Sequence, residues 1–364
     1  MSRTTRYNIA VMPGDGIGTE IMDACLRVLN VLNERIGGPG FDWNHHDGGA
    51  EHYAKTGTAL SAETMAALKA ADAILFGAMG MPHIRYPNGT EIAPQLDIRS
   101  ELELYAGVRP IRTYPGLPSV LSDSRADQID LVLIREQTEG LFYSRGAGKV
   151  EDDKRAFDTM MISRDGTDRV SEFSFRLAER RALSRGRPGK VTCVDKANVF
   201  TSMAFFRKVF SEVATRHPTV TPEYAYVDAT ALNLVKSPWN FDVLVTENMF
   251  GDILSDLTAA LVGSLGLAPS ADIGDKYAMF QPAHGSAPDI AGQGKANPLA
   301  QILSAAMMYD WLADRDEVPV LAEGARIIEH AVEEALTTVR PMEFGGKDGT
   351  QAITDAVIAQ IRKV

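Results

Sequence analysis

The sequence predicts an α/β protein whose sheets are largely parallel and flanked by helices. Short apolar runs, each long enough for one strand, alternate with amphipathic stretches of helical length. The apolar runs are continuous, which is typical of parallel strands covered on both faces. The chain has 364 residues, of which 45% are hydrophobic and 23% charged. This length allows about two or three structural units, and the composition is ordinary for a soluble globular protein.

The strands and helices are predicted in the following order. A strand over residues 8–12 precedes a helix over about 19–35. Further strands are predicted over 73–76, 131–134, 191–194 and 243–245. The C-terminal third is predicted to be mostly helical, with helices over about 297–312, 320–338 and 350–361. The alternation of the two element types is what places the chain in the α/β class.

A polar, charged region over about 144–168 stands apart from this alternation. It contains glycines and a short apolar island at 159–162. It is too long for an ordinary loop. The pattern leaves two interpretations open: a protruding arm, such as a swapped hairpin at a dimer interface, or a mobile surface lid.

Charge and composition exclude several classes of function. The net charge of −11 at pH 7 argues against a nucleic-acid partner and against an anionic membrane surface. No apolar run reaches the roughly 20 residues of a membrane span, and the N-terminal residues lack the pattern of a signal peptide. The two cysteines, Cys25 and Cys193, lie in apolar settings, which fits a reducing, cytoplasmic compartment.

The most informative motif is the segment 248–256, which opens an apolar-periodic helix. Its two carboxylates, Asp252 and Asp256, are four residues apart and therefore stack on one helical face. Two like charges at this spacing cost about 0.2–0.5 kcal/mol unless a cation lies between them, and paired carboxylates suit Mg²⁺ or Mn²⁺. A solvated acidic pair is the alternative, but the apolar neighbours leave little room for a solvated face. Those neighbours are Met249, Phe250, Ile253, Leu254 and Leu257.

Other charged residues fit the same chemistry. Asp228 and Lys196 lie upstream, and a buried acid cluster beside a lysine suits metal-assisted oxidation of a hydroxy acid. Three arginines, Arg99, Arg109 and Arg135, precede them, and the last two follow or end strand-like segments. Planar guanidinium groups grip carboxylates, so three of them suit a di- or tricarboxylate. A surface ion pair is the alternative for each arginine taken alone.

Two loops rich in small residues are candidate anion or nucleotide sites. Residues 14–18 have the spacing G-x-G-x-G, which differs from the Rossmann G-x-G-x-x-G, and predict a tight strand-to-helix turn whose helix start faces an anion. The second loop, 284–290, allows close backbone approach to a ligand. Within it, the Asp289 carboxylate is suited to accept hydrogen bonds from a ribose diol and to repel a 2′-phosphate. A plain helix-capping loop is the alternative.

Taken together, these motifs resemble the β-decarboxylating dehydrogenases, the family of isopropylmalate, isocitrate, homoisocitrate, tartrate and D-malate dehydrogenases. The similarity runs from residue 14 to residue 346. It implies the bilobal isopropylmalate dehydrogenase-like fold, with mixed, largely parallel sheets. The large dinucleotide-binding lobe would comprise 1–104 and 262–364. The inserted small lobe would comprise 105–261 and carry the dimerisation arm at about 144–168.

The resemblance also implies a homodimer with shared active sites, in which Lys196 and Asp228 act as catalytic residues in the neighbouring subunit's site. The arginines would bind the carboxylates of a small hydroxy-dicarboxylate, and Mg²⁺ or Mn²⁺ would be held by Asp228, Asp252 and Asp256. NAD would bind at the second small-residue loop. The residues implied there are His284, Gly285, Ser286, Ala287, Asp289, Ile290 and Asn297.

Two departures from the family pattern leave parts of the chemistry open. The family tyrosine that protonates the enolate falls on Phe142, and Tyr143 comes one residue later, so Tyr143 is only a candidate for that role. The segment before Arg99 lacks the Glu and Leu-Leu pattern of isopropylmalate enzymes, and it has Ala93 where isocitrate enzymes use a hydroxyl. This segment therefore supports a malate-type core and does not identify the substrate. The family as a whole favours 3-isopropylmalate as substrate, with tartrate or D-malate as alternatives. A non-catalytic regulatory or ligand-binding paralogue is the alternative from another class.

Overall fold

The computed structural model describes residues 6–363, which form twelve β-strands and eleven α-helices. The first five residues, for which the sequence predicts no signal peptide, and the last residue lie outside the described part. The chain forms two compact units. The first comprises the residues up to Leu102, Tyr114–Pro118 and the residues from Gly263 onward, and the second comprises Glu103–Thr113 and Ser119–Val262.

The elements have the following bounds. The strands are β1 (Arg6–Gly14), β2 (Gly40–His45), β3 (Ala73–Ala78), β4 (Ala106–Arg112), β5 (Asp130–Glu136), β6 (Lys149–Glu151), β7 (Arg155–Phe157), β8 (Gly189–Asp195), β9 (Val220–Tyr226), β10 (Val243–Thr246), β11 (Pro269–Ile273) and β12 (Ala278–Pro282). The helices are α1 (Ile17–Ile36), α2 (Ala50–Thr56), α3 (Ala62–Ala70), α4 (Pro94–Glu101), α5 (Arg164–Arg185), α6 (Thr201–Ala214), α7 (Val227–Lys236), α8 (Asn248–Leu261), α9 (Leu299–Asp316), α10 (Pro319–Leu336) and α11 (Thr350–Ile361).

In the first unit, the strands follow the order β2-β1-β3-β12-β11. Strand β1 pairs in parallel with β2 and β3, and β12 pairs in parallel with β3. Strands β11 and β12 pair in the antiparallel sense. Helix α9 packs on the sheet and against α1 and α10. Its first fifteen residues are buried on most sides, because they are mainly alanine, leucine, isoleucine, methionine and aromatic residues that leave no continuous polar face.

In the second unit, the strands follow the order β4-β5-β10-β8-β9. Strands β5, β10, β8 and β9 are parallel, and β4 pairs with β5 in the antiparallel sense. Helix α5 packs on β5, β8 and β10, and α8 packs against β5 and α7. The parallel strands β5, β8 and β10 are almost wholly buried, which explains why their sequences are continuous apolar runs.

The predicted α/β class with largely parallel sheets is confirmed. Every predicted strand and helix overlaps an observed one, and the helix predicted over 350–361 has those bounds. Five strands, β2, β4, β9, β11 and β12, were not predicted. Within the region 144–168, β6 and β7 form an antiparallel hairpin, but the region's last residues belong to α5, which begins at Arg164 after the Ser163 cap. Among residues 6–363, no helix is long and apolar enough to cross a membrane.

Candidate active site

The second unit gathers its candidate residues at the carboxyl ends of parallel strands. Arg135 is the penultimate residue of β5, and Lys196 immediately follows β8. Asp228 lies two residues after β9, and Asn248, which opens α8, lies two residues after β10. Because parallel strands end along one edge of a sheet, these residues share that edge. Open α/β sheets bind their ligands outside this edge.

The two carboxylates of α8 face solvent in this chain. The Asp252 side chain is 53% exposed, Ile253 beside it is 62% exposed, and Asp256 is also exposed. The expectation of a buried acid cluster with no solvated face is therefore wrong for a single chain. The reason is the helical register, because the core-facing side of α8 runs through other positions. Those positions include Gly251, Leu254, Ser255, Thr258 and Ala259.

The start of α8 is fixed by a buried acid and a glycine. Glu247 caps the helix, and its carboxylate accepts hydrogen bonds from the backbone N–H groups of Met249 (3.0 Å) and Phe250 (2.7 Å). A Cβ atom on Gly251 would lie 2.6 Å from Cγ of Arg135. Glycine at this position thus allows α8 to lie directly on the stem of Arg135.

Arg135 connects the helix to the strand. Its Nε donates to Asn248 Oδ1 at 2.9 Å, and its Nη1 forms an ion pair with Asp252. Its guanidinium also lies over the ring of Phe142, 5.1 Å from the ring centroid. The guanidinium is almost completely buried although Asp252 is half exposed. A fixed, buried fork of this kind is suited to hold a carboxylate.

Asp256 belongs to the same electrostatic neighbourhood. Its pKa is raised by partial burial and by the charge of Asp252, while Arg109 and Arg135 act in the opposite direction. The sequence indicated that Arg109 follows or ends a strand. In the structure it lies inside β4 instead. The structure therefore brings together two of the three predicted arginines and two of the three predicted metal ligands.

Lys196 and Asp228 form a second group. Lys196 Nζ makes an ion pair with Asp228, and this hydrogen bond is the main cause that lowers the pKa of the carboxyl. Nζ also lies 5.8 Å from the ring centroid of Tyr226. The turn before it is held by Asp195, whose buried carboxylate accepts two hydrogen bonds of 2.8 Å from Arg207. Asp228 itself is 67% exposed and open to further ligands.

The three predicted metal ligands do not converge within one chain. Among residues 6–363, no three aspartate, glutamate, histidine or cysteine side chains are close enough to hold a metal ion together. One chain therefore offers the pair Asp252 and Asp256 in one place and Asp228 with Lys196 in another.

Phe142, and not Tyr143, contacts the arginine site. Both residues belong to a short 3₁₀ helix, Leu141–Ser144, so the local backbone is not the strand that the sequence suggested. Phe142 faces the Arg135 guanidinium, whereas Tyr143 is 57% exposed. The ring that lies over Arg135 is thus that of Phe142, and the larger part of Tyr143 faces solvent.

The remaining arginine lies in the first unit. Arg99 occupies the last turn of α4, and its Nε donates to Asp272 Oδ2 on β11 at 2.9 Å. The same carboxylate oxygen accepts a hydrogen bond of 2.6 Å from Gln281 on β12. This buried network fixes the guanidinium of Arg99, as anion binding requires.

The two small-residue loops of the first unit contact each other. The N–H of Ile17, the first residue of α1, donates to the backbone oxygen of Ser286 at 2.8 Å. Gly16 has φ +56°, and a Cβ atom there would overlap the same oxygen. The Ser286 hydroxyl donates to the backbone oxygen of Gly80. Glycine at position 16 is thus required both for its backbone conformation and for the close approach of the second loop.

The second loop presents a bare backbone surface. Apart from Gly285 and its two chain neighbours, no atom of residues 6–363 lies within 4 Å of the position of a Cβ atom on Gly285, and Asp289 is exposed. Ala287, which precedes Pro288, has φ +36°, an uncommon conformation for a residue with a side chain. At the end of the loop, Asn297 Oδ1 accepts from the N–H of Leu299 at 3.1 Å, next to the start of α9.

Burial lowers the pKa of His284, so its imidazole is neutral at pH 7. Its Nδ1 lies 2.9 Å from the backbone oxygen of Gly285. The side chain therefore adds no positive charge to the loop and is fixed against the loop's own backbone. Asn297 Nδ2 is also held, by a hydrogen bond of 3.0 Å to Glu343.

Asp15 is an organising residue that the sequence reasoning missed. It is fully buried, and its carboxylate accepts hydrogen bonds of 2.8 Å from the N–H groups of Ala50, Glu51 and Gly80. It thereby caps α2 and holds the turn after β3. Its position between two glycines could have predicted this role, because an acid in such a turn commonly accepts hydrogen bonds from backbone N–H groups.

Comparison with known proteins shows the family to which the chain belongs. Residues 8–357 match the model of the isocitrate/isopropylmalate dehydrogenase family. A 3-isopropylmalate dehydrogenase from Aquifex aeolicus is 41% identical over 368 residues, which cover 99% of this chain and 98% of that protein. Its counterpart from Geobacillus kaustophilus is 40% identical over 98% of this chain and 95% of its own length.

Solved structures show the same fold. Isocitrate dehydrogenase from Methylococcus capsulatus superposes with a TM-score of 0.85 at 33% identity, covering 98% of this chain and 99% of that chain. A β-decarboxylating dehydrogenase from Thermococcus kodakarensis superposes with a TM-score of 0.79 at 36% identity, covering 98% and 96%. The fold, the acid and arginine groups and these likenesses define an oxidoreductase, a decarboxylating dehydrogenase. The chain belongs to the isocitrate/isopropylmalate dehydrogenase family.

Proposed function

We propose that this protein catalyses the NAD-dependent, divalent-metal-dependent oxidative decarboxylation of a (2R)-malate-type substrate, with 3-isopropylmalate as the first candidate. The observation that carries the proposal is the neighbourhood of Arg109 on β4, Arg135 near the end of β5, and Asp252 and Asp256 on α8. It combines two cations that suit the carboxylates of a diacid with two carboxylates that suit a metal. The names of the relatives favour 3-isopropylmalate, and tartrate and D-malate are the alternatives.

The arginines bind and orient the diacid. Arg135 is held by Asn248, and Arg99 is held by Asp272, so each guanidinium is fixed before the substrate arrives. Binding a dianion then costs little side-chain ordering. Since the whole chain carries a net charge of −11, a local cluster of arginines is needed to attract an anionic substrate.

The donor set fits a hard divalent cation. Asp252 and Asp256 present carboxylate oxygens on one exposed helical face, and Asp228 is exposed for a third bond. These three residues would hold Mg²⁺ or Mn²⁺, with Asp228 supplied by the partner chain. When bound, the cation supplies positive charge that stabilises oxygen anions developing on the substrate.

The first unit fits the cofactor. Ser286 fixes the backbone of the second loop, the open face at Gly285 allows a ligand close approach, and exposed Asp289 is free to accept hydrogen bonds from a ribose diol. His284, Ala287, Ile290 and Asn297 complete the proposed cofactor-binding set. When bound, NAD accepts the hydride that leaves C2 of the substrate. In this proposal the first unit is the dinucleotide-binding lobe.

Lys196 relays the proton of the substrate hydroxyl. Its Nζ is held by Asp228 and lies beside the Tyr226 ring, so the ammonium head is positioned and not free to rotate. Phe142 occupies the place where the family has a tyrosine, and Phe142 cannot donate a proton. Protonation of the enolate that decarboxylation leaves then falls to water or to another side chain, because Tyr143 is turned to solvent.

We further propose a cytoplasmic homodimer with shared active sites. Helices α7 and α8 each present large apolar side chains to solvent in the single chain, with Leu232 58% exposed on α7 and Ile253 62% exposed on α8. The hairpin of β6 and β7 likewise exposes Val150 and Phe157. Exposed apolar surface of this kind marks an interaction surface. In this proposal the second unit is the dimer-forming lobe and the hairpin is its arm.

A steady-state screen tests the proposed function. Purified protein is assayed with NAD, Mn²⁺ and, in turn, 3-isopropylmalate, tartrate, D-malate and isocitrate, and NADH formation is followed at 340 nm. Turnover of 3-isopropylmalate with the highest kcat/KM is expected. Highest activity with tartrate or D-malate would move the assignment to that substrate. No turnover of any diacid, with ligand binding retained, would favour the non-catalytic paralogue that Phe142 suggests.

A further inference from the structure

Glu20 contacts a loop that lies far away in the sequence. It stands in the first turn of α1, and its Oε2 accepts a hydrogen bond of 3.2 Å from the N–H of Gly292. Its Oε1 accepts a hydrogen bond of 3.2 Å from the N–H of Ala296 and contacts the hydroxyl of Thr350. One carboxylate therefore serves two backbone donors of the segment 287–296 and the first residue of α11.

The same segment also packs on α1 through apolar contacts. Ala296 belongs to a buried cluster with Ile17 and Ile21, and Ala287 and Ile290 pack against that cluster. Asp289 lies between the apolar contacts of Ala287 and Ile290 and three residues before Gly292, whose N–H donates to Glu20. The apolar contacts hold the segment down on α1, whereas the Glu20 hydrogen bonds fix its path along the helix.

The charge of Glu20 suits its surroundings. It lies in the first turn of α1 and contacts the first residue of α11, so the starts of two helices with 20 and 12 residues face one carboxylate. Helix N-termini favour a negative charge. The N–H of Thr350 donates to the backbone oxygen of Gly294 at 2.9 Å, so α11 holds the middle of the turn whose two sides Glu20 binds.

We propose that Glu20 is a positioning residue for the cofactor, because it fixes the segment that carries Asp289 in the conformation that receives the ribose. This inference rests on the proposed NAD dependence. Glu20 is not among the residues proposed to bind the diacid. Its loss should therefore weaken dinucleotide binding and leave the diacid site and the chemical step nearly unchanged.

The test compares Glu20→Gln with the unmodified protein. Glutamine is isosteric, but its amide replaces one acceptor oxygen with an N–H group that faces a backbone N–H, so one of the two loop hydrogen bonds is lost. The Kd for NADH, measured by fluorescence titration, and the KM for NAD should each rise about tenfold, the usual effect of losing one hydrogen bond to a charged group. The KM for the diacid and kcat at saturating NAD should change less than about threefold.

Hydrogen exchange gives a second measurement that does not depend on activity. In the ligand-free Glu20→Gln protein, the amides of the segment 287–296 should exchange faster, and amides in the middle of α1 should be unaffected. The matched control is Glu34→Gln, which removes the same charge from an exposed position of α1. It should leave NADH binding and the exchange of this segment as in the unmodified protein.

Two further variants separate positioning from simple stabilisation. Thr350→Val removes a hydroxyl that contacts Glu20 and donates to the backbone oxygen of Ala296 at 2.7 Å, and it keeps the two N–H hydrogen bonds to Glu20. It should therefore lower the melting temperature and weaken NADH binding less than Glu20→Gln does. Glu20→Asp, which is one methylene too short to reach both N–H groups, replaces Glu20→Gln should the latter not fold.

The possible results separate the two proposals. An unmodified protein that does not bind NADH would refute the proposed cofactor and this inference with it. Binding of NADH by the unmodified protein, together with an unchanged Kd in Glu20→Gln, would refute the role of Glu20 alone. A lower melting temperature in Glu20→Gln with unchanged Kd and KM for the dinucleotide would make Glu20 a structural residue only.

Discussion

Mixed dimers provide the sharpest test of an active site shared between two chains. Lys196 with Asp228 and Asp252 with Asp256 form separate groups in the described part of one chain. If each site takes its lysine from the neighbouring chain, Lys196→Met and Asp252→Asn damage opposite halves of a site. Each variant alone should then lose nearly all activity, since every site of its homodimer carries one defect.

A heterodimer of the two variants has a different outcome. One of its sites combines both defects, whereas the other combines an intact Asp252 with an intact Lys196 of the partner subunit. Random pairing of equal amounts of the two chains gives about one half heterodimers, and half of their sites are intact, so the mixture should recover about one quarter of the unmodified activity per chain. Heterodimers purified through two different affinity tags should show about half of the kcat, with an unchanged KM.

Both substitutions should leave the fold intact. Asp228, the partner of Lys196, is 67% exposed, so solvent screens the ion pair that Lys196→Met removes. Asparagine at position 252 keeps a side-chain oxygen that can accept a hydrogen bond from buried Arg135, and Arg135 also keeps its hydrogen bond to Asn248. The control is a heterodimer of two differently tagged Lys196→Met chains, which should remain inactive. Tag-purified heterodimers of Lys196→Met and Asp252→Asn that show no activity would refute the shared site, because a site built within one chain would be damaged in both subunits.

Four further predictions follow from the structure. Asp252→Asn should weaken Mn²⁺ binding in calorimetry at an unchanged melting temperature, and an unchanged affinity would remove Asp252 from the metal site. Asp289 should make NADP at least about tenfold worse than NAD in kcat/KM, since its carboxylate faces the 2′-phosphate, and equal values would contradict this role. Burial opposes charge on His217, but the hydrogen bonds that its ring nitrogens make to Glu179 and Glu172 outweigh burial and raise its pKa. Since the pKa of His217 is raised in the folded state, its charge stabilises the fold fully below the ordinary pKa of about 6.5, and this stabilisation is lost as the pH rises through the folded pKa. His217→Gln should therefore lower the melting temperature more at about pH 6 than at about pH 9. Equal losses at the two pH values would refute this. Tyr143→Phe should change kcat little, whereas Phe142→Tyr should raise it, up to the roughly 10²-fold of a positioned acid, where protonation limits the rate; a hundredfold loss in Tyr143→Phe would show that Tyr143 reaches the site.

The sequence predicted the strands that are unbroken apolar runs better than the strands that contain proline or polar residues. Strands such as β10 are short apolar runs, and their burial on both faces leaves a clear pattern. Strands β4, β9 and β11 contain Pro110, Pro222 and Pro269, respectively. Proline is typical of edge or irregular strands and lowers the expectation of a strand at those positions. Strand β9 also alternates exposed and half-buried residues, so no apolar run marks it.

For the candidate site, the sequence predicted which residue types take part better than how they are placed. The four-residue spacing correctly put Asp252 and Asp256 on one face of α8, but it did not show that this face is exposed in the single chain. The roles of Asp15 and Glu20 were missed because their partners are backbone N–H groups far along the chain, such as those of Gly80 and Gly292. Backbone donors leave no signal in residue types, and only the fold reveals them.

A shared site would couple the metal to the dimer. Asp252 and Asp256 come from one chain and Asp228 from the other in the proposed arrangement, and no three such ligands converge within residues 6–363 of one chain. A cation bound by both chains stabilises the dimer over separate chains, and by reciprocity dimerisation raises the affinity for the cation. Exposed Ile253, which lies between the two carboxylates on α8, would be covered by the same association. Asp252 and Asp256 are exposed in one chain, although the sequence predicted a buried pair. A site that a second chain completes requires such exposure, because the second chain must reach both carboxylates.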